Sequence, residues 1–309
     1  MIGNKPLRWT MLRRDGRYRF SRVLATVVAM ASVASVSLAQ EILVRRPNTG
    51  DPLEILTGEP LRVPEADEIE TDRDSFTPAT TVAPKRRLIA EAAYTFIDNR
   101  GFKETHSFPE LLLRYGLTDR IELRLGWNAE IGGAGSEVSG AAVGEDEAPL
   151  GESGILREYS LAYGIKVRAT DQQRWLPRSV VIVQGYTPTG GASRDSQIVA
   201  TYAAGWTLPN RWQFDSAIRY GTQKEEGDHY NVWAPSTVLK VPFGEKWAAH
   251  AEYFGFFTNG KERNTSKHYV SPGLHYLVSP DFEVGFRLGW GLNDDSARFF
   301  ANVGVGYRY

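Results

Sequence analysis

Cysteine is absent from this chain, which excludes a disulfide framework, a thiolate metal site and a lipid-bearing cysteine behind an export signal. A surplus of either charge is also missing. The 36 Lys and Arg stand against 37 Asp and Glu, so the chain lacks the cationic excess that binding a polyanion requires, and nucleic acid is excluded as a partner. Long apolar runs are missing too: beyond Gln40 no stretch approaches the roughly 18 residues of a spanning helix. A mature chain that enters a membrane therefore does so on strands, because only helices and closed barrels satisfy their backbone groups in lipid. The five histidines show no ligand spacing beyond the weak pair His268 and His275, whose parities differ, so neither a metal nor a cofactor is expected.

What is present begins with an N-terminal stretch resembling an export signal. Arg8, Arg13, Arg14, Arg17, Arg19 and Arg22 precede an apolar segment from Val23 to Val36, and Ser37-Leu38-Ala39 offers small residues for cleavage before Gln40. Residues 1–39 are expected to be a signal peptide. Residues 40–84 follow as an irregular, acidic, proline-bearing segment, and residues 85–309 carry the strands.

The strand pattern is clearest from Glu110 to Asn128. Leu111, Leu113 and Tyr115 oppose Glu110 and Arg114, with Leu112 the apolar exception. Ile121, Leu123, Leu125 and Trp127 then alternate with Glu122, Arg124, Gly126 and Asn128. A period of two with one apolar and one charged face makes a hairpin. The same alternation recurs to the C-terminus, where Val303, Val305, Tyr307 and Tyr309 oppose Asn302, Gly304, Gly306 and Arg308. Twelve strands result. The fifth, Ser179 to Thr187, is apolar on both faces, and the eighth, about Asn231 to Val241, contains Pro235 as a weak point. Short connections at Leu117 to Arg120, Thr170 to Pro177, Pro209-Asn210, Pro242 to Lys246 and Ser279 to Asp281 fall on one side. Longer ones, including Gly132 to Gly154, Thr222 to His229 and Thr258 to Lys267, fall on the other.

An even strand number, this asymmetry and aromatics near strand ends (Trp127, Trp206, Trp212, Trp247, Trp290) predict an all-β fold. It is an antiparallel up-and-down β-barrel of the outer-membrane type rather than a soluble sandwich. Its apolar face then contacts outer-membrane lipid. Twelve strands about 4.8 Å apart and tilted about 40° give a diameter of roughly 24 Å and a lumen on the order of 10 Å or less.

The inward parity collects the candidate lumen-lining residues: Glu91, Glu110, Arg114, Glu122, Arg124, Glu158, Lys166, Arg168, Asp215, Arg219, Glu252, Glu283, Arg287 and Arg308. Mixed charge of this kind either sorts solutes by sign and size or simply fills the barrel with water and salt bridges. A membrane-embedded lipid hydrolase would need a paired serine and histidine. His268 and Ser271 are three residues apart and leave opposite faces of a strand, so no catalytic residue is expected.

Three stretches carry a resemblance: Thr71-Asp72-Arg73-Asp74-Ser75-Phe76-Thr77 with Thr81-Val82-Ala83-Pro84, the run Glu110 to Arg120, and Gly291 to Asp295 through Phe299-Phe300 to Gly304 to Tyr309. From about Glu70 to Tyr309 the chain resembles a family catalogued under a phenol-degradation (MetA) pathway and labelled "transporter". This chain has Asp74-Ser75 where the family pattern carries a proline. The resemblance implies an outer-membrane barrel that moves small organic solutes, aromatic ones among them. It also implies that Thr71 to Pro84 orders inside or against the barrel mouth, with Asp72, Arg73 and Asp74 as plug candidates. The expected function is a passive channel, with a plugged structural or adhesion barrel as the alternative. The last strand, ending on Tyr309, is the expected contact for the barrel-assembly machinery.

Overall fold

A computed structural model describes residues 68–309 apart from 102, 134–155, 192–194, 226–227 and 262. The expected signal peptide, residues 40–67 and most of the Gly132 to Gly154 loop lie outside the described residues.

Twelve strands among the described residues close into an antiparallel barrel. They are β1 (Leu88–Asp98), β2 (Thr105–Gly116), β3 (Ile121–Gly132), β4 (Leu156–Thr170), β5 (Arg178–Gly190), β6 (Gln197–Thr207), β7 (Gln213–Glu225), β8 (Asp228–Phe243), β9 (Trp247–Asn259), β10 (Ser266–Ser279), β11 (Phe282–Gly291) and β12 (Phe299–Arg308). Each pairs with its sequence neighbours, and β12 closes on β1 from Ile89 opposite Arg308 to Asp98 opposite Phe299. Closure leaves no free edge, the condition for strands in lipid.

The faces are inverted relative to a soluble protein. Leu113, Leu125, Ile165, Val183, Leu274 and Val305 are exposed on the outside, whereas Glu91, Glu110, Arg114, Glu122, Lys166 and Arg287 are buried inside. Leu112, the apolar residue out of phase in the opening hairpin, turns inward and is buried. Near both rims, aromatics sit directly opposite one another across strands: Trp206 and Phe214, Tyr220 and Trp233, Phe282 and Tyr307, Trp290 and Phe299. Such cross-strand ring pairs brace the sheet and anchor it at the two membrane interfaces.

One detail differs from the sequence reading and two are sharpened. Thr222 to His229 is not a loop: Thr222 pairs with Asn231 and Glu225 with Asp228, leaving a connection of two residues. Polar side chains did not end the strand there, because a hairpin that projects beyond the bilayer meets water on its outer face and keeps pairing. Pro235 stays within β8 opposite Ile218; only on the β9 side does pairing lapse, between Trp233 and Ser236, and it resumes in the same register. A proline costs one donor, and here the strand absorbs that cost on a single side. The two-sided apolar character of β5 is explained by its inner face. Val180 and Ile182 point into the barrel with Ala203 and Ala217, and Val82 from the segment before β1 packs on them.

Leu125 sits mid-strand opposite Leu113 and Tyr163 on the lipid face. An arginine there faces hydrocarbon, and Leu125→Arg should lower barrel stability by about 2–4 kcal/mol. Equilibrium unfolding from bilayers, followed by tryptophan fluorescence, measures it; an unchanged midpoint would place this face in water.

Candidate functional site

The site is the lumen, and most of it is occupied by the chain itself. Residues 68–84 enter at the rim where the short turns lie, reach their apex at Phe76, and return to the same rim. Ile69 N–H donates to Pro280 O at 2.8 Å on the way in, and Arg86 N–H donates to Gly116 O at 2.7 Å on the way out. Both walls make room for this backbone. A Cβ on Gly116 would stand 2.1 Å from Pro84 O, and one on Gly306 would stand 2.3 Å from Thr71 Cγ2. Only glycine allows so close an approach.

Three acids and three bases form the lower belt of the site. Arg114 on β2 holds Glu122 through two parallel bonds of 3.0 and 3.1 Å and reaches Glu91 at 2.8 Å. Arg124 bonds Glu122 at 2.7 Å. Asp72 of the inserted segment completes the set, accepting from Arg124 at 2.6 Å and from Lys166 at 3.2 Å. Its backbone N–H and that of Arg73 donate to Glu91 at 2.9 and 3.0 Å, and Ala83 N–H donates to Glu122 at 2.7 Å. Burial by itself raises the Asp72 carboxyl, but Arg114, Lys166 and Arg124 outweigh it and hold the group well below the ordinary carboxylate range. Charges this deep are tolerable only because each finds its counterpart.

Farther in, Arg73 donates to Leu111 O at 3.0 Å and points toward Glu110 at 4.0 Å. Asp74 accepts from Lys240 at 2.7 Å. Burial pushes its carboxyl up, while Lys240 and then His275 pull it down to about 2. At the apex, the Glu252 carboxylate accepts from Phe76 N–H at 3.0 Å, from Thr77 N–H at 2.7 Å and from the Thr77 hydroxyl at 2.8 Å. Arg287 lies 3.4 Å from the same carboxylate. On the return limb Thr80 donates to Asp215 at 3.3 Å and accepts from Arg178 at 3.0 Å.

The Phe76 ring stacks on Phe254 at 4.4 Å, meets Phe256 edge-on at 5.2 Å, and has the Arg219 guanidinium 3.9 Å from its centroid. Arg219 also donates to Phe76 O. Beyond it, Tyr269, Phe300, Tyr230 and Tyr186 extend a buried apolar cluster through the loop-side half of the lumen. This half is not the polar lining that alternation predicted. An inserted apex needs apolar partners to pack against, and the inward parity supplies them.

Among the sequence-derived candidates, Glu91, Arg114, Glu122, Arg124 and Lys166 meet around Asp72. Glu110, Asp215, Arg219, Glu252, Glu283 and Arg287 contact or border other parts of the segment. Two others line the cavity at the turn-side rim: Arg168 lies 3.4 Å from Asp171, and Arg308 bonds Asp281 at 2.6 Å. The Glu158 side chain lies outside the described residues. Glu70, Arg178, Lys240, His250 and His275 were not among the candidates. For His250 and His275 the signal was present, since they share inward parity with Glu252 and Gly273. Likewise Phe254 and Phe256 continue the Glu252 parity. Ser271 donates to Leu288 O at 2.8 Å and His268 shares a bond of 2.8 Å with the Tyr253 hydroxyl, so no serine–histidine pair forms between them.

At the turn-side rim a cavity of about 610 Å³ ends against Asp74, Thr81 and Val82 of the segment. Apolar residues face outward around a closed antiparallel wall, and charge is packed within. Those features define an outer-membrane β-barrel, with the short turns on the periplasmic side. The family model described as "Putative MetA-pathway of phenol degradation" matches residues 71–309, and the chain belongs to that family. The match begins at Thr71, so it includes all but the first three residues of the inserted segment. In fold the chain is similar to an outer membrane channel from Pseudomonas putida F1, at 12% identity over 78% of this chain and 100% of that one, with a TM-score of 0.52. It is also similar to the NanC porin, at 10% identity over 71% and 98%, with a TM-score of 0.46. No curated protein matches the sequence.

Proposed function

We propose that the protein is a passive outer-membrane channel for small organic solutes, with residues 68–84 as a removable plug. The observation that carries this reading is how the segment is held. It sits in the lumen on side-chain hydrogen bonds, ion pairs and the packing of Phe76, and among the described residues its backbone-to-backbone bonds to the wall are confined to its two ends, from Ile69 to Pro280 and at the isolated bridge between Lys85 and Gly116. A segment so attached can leave without unzipping the barrel. The pocket that holds Phe76, with Phe254 stacked on the ring, Phe256 edge-on and Arg219 over the ring, fits an aromatic solute with an anionic substituent.

Liposomes carrying the full-length protein should swell in benzoate faster than in a neutral aliphatic solute of the same size, and Arg219→Ala should remove that preference. Equal rates for both solutes in the intact protein would refute the aromatic-anion selectivity. No flux for any solute, with or without the segment, would favour the alternative of a sealed structural barrel. The packed apolar cluster above Phe76 is the observation on that side.

A further inference from the structure

One feature that neither the charge belt nor the Phe76 pocket uses is a group of three buried side chains from three elements. Asp74 comes from the inserted segment, His275 from β10 and Glu283 from β11, and their ligand atoms lie within 4.8 Å of one another. His275 Nδ1 is 3.3 Å from Asp74 Oδ2 and 3.6 Å from Glu283 Oε1. The first separation matches the edge of a tetrahedron around Zn²⁺ and the second is slightly longer, since metal–ligand distances of about 2.0–2.1 Å place neighbouring ligands roughly 3.3–3.5 Å apart.

The imidazole is prepared for such a role. His275 Nε2 is engaged by His250 Nδ1 at 2.5 Å, and His275 Nδ1 is buried without a hydrogen-bond partner. When His275 donates from Nε2 to His250, its Nδ1 lone pair faces two carboxylates, a repulsion that a cation between them relieves; in the other tautomer an Nδ1 proton holds that place and leaves as the ion binds. A second ring that fixes tautomer and orientation is the usual outer support of a metal-bound histidine. The Thr71 hydroxyl, donating to Glu283 at 2.8 Å, orients the carboxylate in the same way. The cavity at the periplasmic rim is lined by all three residues, so an ion can enter from that side and keep a water in a fourth position.

We propose that Asp74, His275 and Glu283 form a site for a zinc-class divalent cation that locks the inserted segment to the barrel wall. Because one ligand belongs to the segment and two to the wall, the complete site exists only while the segment is seated. The cation therefore favours seating by about 100-fold when its concentration is 100 times its dissociation constant. Lys240, whose ammonium sits 2.7 Å from Asp74 Oδ2, is the competitor that the ion displaces. The site needs no solute passage, so it stands or falls separately from transport.

Titration of chelator-treated full-length protein in micelles with zinc chloride should show one saturable equivalent by calorimetry. Asp74→Asn, which alters only the segment, and His275→Gln should each weaken binding at least tenfold, and Lys240→Met should tighten it. In the wild type, zinc should slow protease cleavage within residues 68–84; in His275→Gln it should not. Retained binding in both weakening variants would assign the ion to exposed histidines such as His106 and overturn the proposal. So would the absence of saturable binding in the wild type, or binding without any change in cleavage.

Discussion

Deleting residues 70–79 should raise the conductance of planar bilayers above that of the full-length barrel by about ten-fold or more, to a well-resolved open level. The excised stretch carries Asp72, Asp74 and Phe76, which fill the lumen from the charge belt to the aromatic cluster. Its departure leaves a water-filled passage on the order of 10 Å across at most. The wall should survive, because its register is set by strand pairing from β1 through β12 and not by the segment. Charges that had been dry regain water. The belt, however, loses one of its acids: Arg114, Arg124 and Lys166 then face only Glu91 and Glu122. The open level should therefore prefer anions, as a cationic ring does. Reversal potentials in a salt gradient give the sign. Identical conductance with and without the segment would mean that it is not the barrier.

Asp72→Asn carries the second large effect. Asp72 meets Arg124 at 2.6 Å and Lys166 at 3.2 Å, with all three side chains nearly inaccessible. Removing one partner from a buried ionic set costs about 3–5 kcal/mol, because the remaining charges stay dry and uncompensated. The structure can escape that cost by expelling the segment and admitting water, so the seating equilibrium should fall by more than about a hundredfold while the strands persist. Limited proteolysis within residues 68–84 reads the first, and heat-modifiable migration of the folded barrel reads the second. The double variant Asp72→Asn with Lys166→Met should recover part of the loss, since it removes a surplus cation together with the acid.

Acid should act in the same direction. Asp72 and Asp74 are held below their ordinary values, with Asp74 at about 2 against 3.8. Their contribution to seating is thus complete above pH 3.8 and is lost as pH falls through the depressed values. The share of protection that these two carboxylates supply should decline as pH falls below about 4. Release near pH 6 would mean that other groups control it.

Much of this architecture was legible without coordinates, for a local reason. Side-chain direction in a strand has a period of two, so Leu123, Leu125 and Trp127 against Glu122 and Arg124 state their faces within a few residues. Inversion of those faces around a closed wall then puts apolar residues in lipid. The same logic misjudged Thr222 to His229, because polarity marks where a strand leaves the membrane and not where its hydrogen bonding stops. It also missed the apolar upper lumen, although Phe254, Phe256 and Phe300 were on the inward parity throughout.

The sequence by itself determined a twelve-stranded barrel, its lipid face and the inward charges. Only the tertiary structure decided what those charges meet. Asp74 lies 166 positions from Lys240, and Thr71 lies 212 from Glu283. No periodicity spans such distances, because these contacts depend on closure of the sheet and on the path of one irregular segment through its centre.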